Sequence, residues 1–498
     1  MKKYLLSIDN GGTYIKAALF DTKGNQLNLV KHSNDVITLH ENYSEYNQDE
    51  LWETNCYCMR EVIKESGIKP EQIACIGFCG QGSGFYAVDA QGRNIRNAIT
   101  SSDRRAQEQT DKWHHEGLSD QVYPYIFRYP LSGHMCAILS WLKENEVENY
   151  QRIRWLFSMK DFLIYRLTGN IVASYDCLST CGILNLKNLS FDKELSDMFG
   201  LPGVEKKFGK LQWGSELCGK VTEQAANLCG CAPETPVSVG LHDVNAAALA
   251  MGAKDIESSF IITGTHAING YISPTPVLNK TIKNNELFAA YPGMFLIEEG
   301  YPASAATLEW VIDVLFGEEK KNSRIYKEID NMVEKISPTD QTPIFLPFLR
   351  GYRNNPYARC SWVGLNSSHN KAHMLCAVYE GVAFSHMIQL EYLFQECKRP
   401  SKIMIAGGAT NSKIWMQIFA DAIGLPLEII SSGEVGAKGT AILSTVASGI
   451  YPDIQTAVDK MKEPGVLIYP RKKFASIYKQ KYEKFKLIVQ NLDLIWTK

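Results

Sequence analysis

The seven residues Ile73-Ala74-Cys75-Ile76-Gly77-Phe78-Cys79 form a near-continuous apolar run. A strand with one solvated face would alternate polar and apolar side chains, so an unbroken run of this length fits a strand covered on both faces. It follows a stretch, Glu50 to Glu65, whose apolar residues Leu51, Trp52, Cys58, Met59, Val62 and Ile63 fall at helical spacing. A helix leading into a doubly buried strand predicts a layered α/β domain built on a partly parallel sheet. At 498 residues the chain is too long for one core and sufficient for two or three domains.

The first stretch with chemical content lies upstream. Leu5 to Asn10 and Tyr14 to Asp21 are largely apolar runs around Gly11-Gly12-Thr13, and Asn10-Gly11 predicts a hairpin with a primed turn at positive φ. Gly11, Gly12 and Thr13 carry little bulk to keep a ligand from their backbone N–H groups, Thr13 adds a hydroxyl, and Lys16 adds a positive charge. Such a nest suits phosphate. Asp9 would repel that phosphate unless a divalent cation, usually Mg²⁺ with retained water, sits between them. Metal and nucleotide are therefore expected together. Asn-Gly hairpins also occur without ligands, but Ser259 to Ile272 repeats strand, Gly264-Thr265 turn and strand, and two such hairpins would grip one polyphosphate from opposite sides.

Other candidates stand at strand ends. Gly80-Gln81-Gly82-Ser83-Gly84 closes the apolar strand, and ligands of open α/β sheets gather there, although a plain turn has the same composition. Asp103, in Ser101-Ser102-Asp103-Arg104-Arg105, suits either a helix N-cap or a contact to substrate hydroxyls. Gly240-Leu241-His242-Asp243 ends another strand and opens an alanine-rich helix. Asp243 there could accept a proton from a substrate hydroxyl, while from this stretch alone an N-cap is the plainer reading. Near the end, Lys402 to Ala406 makes a strand, Gly407-Gly408-Ala409-Thr410-Asn411 a glycine turn, and a helix begins near Ile414, an arrangement suited to a nucleotide's phosphate or ribose edge. Leu427 to Ile430 is expected to be the last strand.

A net charge of −2 without a long basic run gives no footprint for nucleic acid or an anionic membrane, so the substrate should be small. Nowhere do about eighteen apolar residues run together, and the N-terminus enters a strand directly, from which a cytoplasmic chain is expected. Thirteen cysteines, several inside apolar runs, argue against a disulfide framework, and no histidine cluster completes a zinc set with Cys56/Cys58 or Cys229/Cys231.

The order of these features resembles the FGGY carbohydrate kinases, of the actin-like ATPase superfamily, over essentially the whole chain. Asp9-Asn10-Gly11-Gly12-Thr13-x-x-Lys16 looks like their first phosphate motif, Gly264-Thr265 like the second, and Gly407-Gly408-Ala409 with Asn411, Gln417 and Asp421 like the adenosine motif. Trp362-x-Gly364-Leu365, with His373-Met374 and Ala377 to Glu380, is similar to the C-terminal signature. The resemblance implies an α/β fold of two actin-like ATPase (ribonuclease H-like) domains with a cleft between them, a sugar-binding domain at 1–241 and a nucleotide-binding domain at 242–498. It implies ATP and Mg²⁺, the metal held through water by Asp9. Nucleotide contacts would come from Gly11, Gly12, Thr13, Lys16, Gly264, Thr265, Gly407, Gly408, Ala409 and Asn411, sugar contacts from Gln81, Gly82, Ser83, Asp103, Arg104 and His134, and the catalytic base would be Asp243. Gln-Gly at 81, the Asp103 segment and Gly133-His134 look most like the L-xylulose and 3-keto-L-gulonate kinase branch. Ile138, Ala305 and Cys360 depart from the usual lysine, glycine and small residue. The partners implied are a small sugar and ATP, without nucleic acid or membrane, and with a homodimer left open. A nucleotide-driven chaperone or an idle sugar sensor would share the core, but no peptide-binding or DNA-binding segment is apparent and Asp243 is present.

Overall fold

The computed structural model describes residues 3–264, 267–278, 285–301, 304–317, 324–349, 351–352, 355, 357–395, 398–430 and 433–496. The chain divides into two compact units: Met1–Gly252 with Pro274–Leu296 and Ser432–Lys462, and Ala253–Ser273 with Ile297–Ser431 and Glu463–Lys498. Among the described residues no helix is long and apolar enough to cross a membrane.

In the first unit the strand Ile73–Gly80 is buried at every residue, as its composition predicts. It runs parallel to Tyr4–Asn10 on one side and to Pro236–Ser238 and Leu241–His242 on the other. Tyr4–Asn10 pairs antiparallel with Tyr14–Asp21, which pairs with Gln26–Ser33, so the sheet is mixed. Helix Gln48–Ser66 covers one face, where Trp52, Met59 and Val62 meet Leu6, Ile8, Ile76 and Phe78. On the other face Leu5, Cys75 and Cys79 meet Leu249, Ala441 and Leu443, from helices Asp243–Met251 and Val435–Ala447. Those two helices cross closely, because Gly439 has no side chain where a Cβ would fall 1.8 Å from the carbonyl oxygen of Ala246.

The first hairpin forms, but not with a primed turn. Neither Asn10, Gly11 nor Gly12 has positive φ, and three residues, Gly11 to Thr13, bridge the strands. Asn10 cannot act as a turn corner because the ladder holds it opposite Ile15, and Asn55 Nδ2 donates to its buried Oδ1 at 2.9 Å.

In the second unit Phe260–Thr263 pairs antiparallel with Ala267–Ser273 and parallel with Ile403–Gly407, followed outward by Leu427–Ile429. That strand is not the last. Val466–Ile468 pairs antiparallel beside it, a three-residue edge strand too short and too exposed to show a buried pattern. Helix Lys371–Leu393 packs against these strands and is capped by Asn370, whose Oδ1 accepts from the N–H groups of Ala372 and His373.

Candidate active site

The carboxyl ends of three adjacent parallel strands bring distant residues of the first unit together. Asp9 pairs with Cys79 and Asn10 with Gly80, while Leu241 and His242 pair with the same two residues from the other side. Asp9, Gln81 and Asp243 therefore emerge along one edge of one sheet, the usual location for ligands of α/β folds.

Asp243 is the first residue of its helix, and the cap is His242, whose Nδ1 accepts from Val244 N–H at 3.3 Å. The Asp243 side chain is 41% exposed. Its Oδ1 accepts from Val244 N–H at 2.8 Å, and among the described residues Oδ2 has no protein partner. A carboxylate oriented through one oxygen and open at the other can take a proton from an approaching hydroxyl.

Asp9 is enclosed more tightly. The Cys79 thiol donates to its Oδ1 at 3.4 Å, and Lys16 Nζ lies 4.0 Å from its Oδ2 and 2.5 Å from Glu434 Oε2. Burial pushes the Asp9 carboxyl up to about 6; Lys16 pulls it down, while Asp243 and Glu434 add to the rise. Two carboxylates, Asp9 and Glu434, share the one ammonium of Lys16, with the Asp243 charge also acting on Asp9, a shortage of positive charge that fits a divalent cation. Among the described residues no three metal-ligating side chains converge on one point, so a cation at Asp9 would keep most of its water. Beside it, the carbonyl oxygens of Gly11, Gly12 and Thr13 are drawn inward by Asn34 Nδ2 (3.0 Å), Tyr46 Oη (3.2 Å) and Asn34 N–H (2.9 Å). With its carbonyls turned back and Gly12 and Thr13 exposed, the turn offers an anion mainly N–H groups.

The strand end carrying Asp243 is anchored from beneath. Lys160 Nζ donates to Val239 O and Asp161 Oδ1, each at 2.8 Å, with both side chains sealed from solvent. Asp161 Oδ2 accepts from the hydroxyls of Ser158 and Ser174, and Asp176 Oδ2 accepts from His242 N–H at 2.5 Å. Sequence reasoning did not find this network. Its one visible signal was a Lys-Asp pair opening the otherwise apolar stretch Met159 to Leu163.

The expected sugar contacts separate by environment. Gln81 is oriented by donating to Tyr86 Oη at 3.2 Å and accepting from Ser101 Oγ at 2.7 Å. The ring of His242 and the hydroxyl of Thr180 occupy the space where a Cβ on Gly82 would lie, and Ser83 Oγ donates to Thr180 O at 3.0 Å. These three residues thus lie against the strand end that carries Asp243. Asp103 is fully buried, accepting from Ser44 N–H (2.7 Å) and from Arg105 N–H, Nε and Nη2 (2.8 to 2.9 Å). It does not cap the next helix, which starts at Gln107 behind Ala106. Arg104 is exposed. His134 is buried, with Nδ1 accepting from Leu131 N–H at 3.1 Å, and burial together with Arg128 holds it well below the usual histidine range, so it is neutral. Arg128 Nη2 donates to Glu286 O at 3.3 Å, and burial pushes the Glu286 carboxyl up to about 8. Ile138 is buried on helix Met135–Asn145, Ala305 precedes helix Ala306–Phe316, and burial raises the Cys360 thiol to about 12.

The second unit carries its own pair of turns. Thr263 and Gly407 are paired, so the Gly264 turn and the Gly407 turn leave neighbouring strand ends, joined by Thr263 Oγ1 donating to Ala406 O at 3.0 Å. Gly408 and Asn411 are exposed, Ala409 is buried, and Ser412 caps helix Lys413–Ile423. Thr265 lies outside the described residues. Gln417 and Asp421 are engaged locally: Asp421 accepts from Gln417 Nε2 and from Arg471 N–H, Nε and Nη2.

Comparison with known proteins identifies the family. Residues 4–250 match the N-terminal domain, and 259–448 the C-terminal domain, of the FGGY family of carbohydrate kinases. A probable L-xylulose kinase of Pasteurella multocida is 31% identical over 98% of this chain and 99% of its own. The L-xylulose/3-keto-L-gulonate kinase of Escherichia coli is 30% identical over 99% and 98%. The crystal structure of ligand-bound xylulose kinase from Lactobacillus acidophilus superposes with a TM-score of 0.90 at 22% identity, covering 98% of each chain.

Proposed function

Because this chain belongs to the FGGY family of carbohydrate kinases and is an ATP-dependent sugar kinase, we propose that its acceptor is a small keto-sugar and that Asp243 is its general base. L-xylulose, xylulose or a related keto-sugar acid is the preferred acceptor class, supported by the names of two relatives at 30% and 31% identity. The observation that carries the proposal is the half-open carboxylate of Asp243, fixed through Oδ1 at a strand end shared with Asp9 and Gln81.

A sugar hydroxyl is a weak nucleophile, and its proton must leave as its oxygen bonds to phosphorus. Oδ2 of Asp243 takes that proton, the hydroxyl oxygen attacks the γ-phosphorus, and the bond to the β-phosphate bridging oxygen breaks to release ADP. Mg²⁺, held through water at Asp9, would neutralise charge on the phosphates. Gln81, Gly82 and Ser83 line the sugar side beside Asp243. In the first unit the exposed Gly12 and Thr13 would offer N–H groups to phosphate, the Gly11 N–H being held by Tyr14 O; in the second unit Gly264 would meet phosphate, and the exposed Gly408 and Asn411 the adenosine.

Asp243→Asn tests this directly. The amide keeps the shape and the bond to Val244 N–H but cannot accept the proton, so kcat should fall about 10²- to 10⁴-fold while sugar and ATP still bind. Ketopentoses and keto-acids are screened first by coupled ADP release, and the variant is measured on the best acceptor. Near-normal kcat would defeat the assignment of the base.

A further inference from the structure

Inside the second unit four buried polar side chains form one chain of hydrogen bonds. Asn269 Nδ2 donates to Gln389 Oε1, Asn269 Oδ1 lies 2.9 Å from His386 Nδ1, and His386 Nε2 lies 2.9 Å from Ser304 Oγ. None of the four is more than 1% exposed. Since the Asn269 amide gives its hydrogen to Gln389, its oxygen accepts from His386 Nδ1–H, and Nε2 is left to accept the Ser304 hydroxyl proton. Burial drives the His386 imidazole down to about 3, so the ring stays neutral in this tautomer.

Serine, histidine and a side-chain amide in this order have the bonding pattern of a nucleophilic triad. Ser304 is closed to solvent, however, and no substrate reaches its oxygen. What the chain connects gives it another use. Asn269 stands on the strand that leaves the Gly264 turn, and Ser304 stands two residues before Ala306, whose N–H donates to the Gly264 carbonyl at 3.4 Å. His386, on the long helix Lys371–Leu393, is bonded to Asn269 on the strand that leaves that turn and to Ser304 on the separate segment that meets Gly264.

We propose that His386 is a positioning residue for the nucleotide's phosphates: through Asn269 and Ser304 it fixes Gly264, at the end of its strand, with its carbonyl directed to Ala306 and away from the anion. The inference rests on the assignment of Gly264 to the phosphates. A turn displaced by about an ångström loses much of its grip on a rigid ligand, and adenosine, which lacks phosphates, should not register the change.

The test uses Ser304→Ala, Ser304→Thr and His386→Asn in the full-length protein. The affinities for ADP and for adenosine are measured by calorimetry without sugar, beside melting temperature. Ser304→Ala and His386→Asn, which keeps a partner for Asn269 but is too short to reach Ser304, should each weaken ADP about tenfold with adenosine unchanged. Ser304→Thr, which keeps the hydroxyl, should stay within about twofold of wild type. A fall in melting temperature with ADP affinity intact, or an equal loss for ADP and adenosine, would overturn the proposal. Because the readout needs no acceptor, a wild-type protein that phosphorylates no sugar would count against the kinase assignment and not against this one.

Discussion

Helix Val435–Ala447 offers one substitution at two positions with opposite expected consequences. A Cβ on Gly436 would lie 2.8 Å from Asp9 Oδ2 and 3.0 Å from its Cγ, whereas a Cβ on Gly439 would lie 1.8 Å from the carbonyl oxygen of Ala246. Neither glycine has positive φ, so alanine is conformationally acceptable at both and gains about 1 kcal/mol of helix propensity. At Gly436 the atoms that must yield belong to the end of one side chain. The carboxylate moves by roughly half an ångström, the fold keeps the propensity gain, and Asp9 leaves the position from which, on the proposed mechanism, it would hold the metal through water. At Gly439 the obstacle is backbone of a neighbouring helix, which must separate by more than an ångström, and overpacking of that kind costs about 1 to 3 kcal/mol or more. Gly436→Ala should therefore melt at or slightly above the wild-type temperature with kcat down about 10- to 100-fold, and Gly439→Ala should melt lower by several degrees. Differential scanning calorimetry and coupled ADP release on the two variants decide the matter. A Gly436→Ala enzyme of normal kcat would show that the carboxylate of Asp9 need not stand where it does.

Three further outcomes are expected. Asp103→Asn removes one of the two carboxylates facing Arg105, whose side chain is only 1% exposed and keeps Glu45 Oε1 at 2.7 Å, so the loss is that of buried charge-assisted hydrogen bonds, about 1.5 to 3 kcal/mol, and the melting temperature should drop by a few degrees; a sugar KM raised about tenfold at unchanged melting temperature would instead make Asp103 a substrate contact. Glu286, pushed up to about 8 from 4.5, keeps its proton in the folded protein while the unfolded chain loses it. Its contribution is complete below about pH 4.5 and declines by about 1.4 kcal/mol per pH unit until about pH 8; Glu286→Gln should flatten the fall in stability over that interval in pH-dependent denaturation, and an unaltered fall would exclude Glu286 as its source. Chelation of divalent cations should abolish turnover and added Mg²⁺ restore it, while full activity with ATP after chelation would remove the metal role from Asp9.

What could be read in advance follows from how local each determinant is. The Ile73–Cys79 run announces a doubly buried strand because its neighbours on both faces leave their mark on its own composition, and the two hairpins carry their signal within fifteen or so residues. The turn at Asn10 misleads because its conformation is imposed by Asn55, forty-five positions away, rather than by Asn-Gly itself. The position of Asp243 within its helix depended on a register of one residue, which placed His242 at the cap. The setting of Asp103 was hidden because its donors, Ser44 and Arg105, converge only when residues fifty-nine positions apart in the chain meet. The Lys160, Asp161 and Asp176 network has no spacing rule at all, since it answers to where a strand happens to end.

That network also separates two kinds of change in the molecule. Val239 and His242 are held by hydrogen bonds from residues around 160 and 176, whereas Gln81, Ser101 and His134 belong to loops that do not supply those bonds. On the proposed roles, acceptor preference would be changed in those loops while Asp243 keeps its register. A library aimed at a new sugar belongs at the more accessible Gln81, Ser101, Ser102 and Arg104, and residues 158–161 and 174–179 are the part of the molecule to leave untouched.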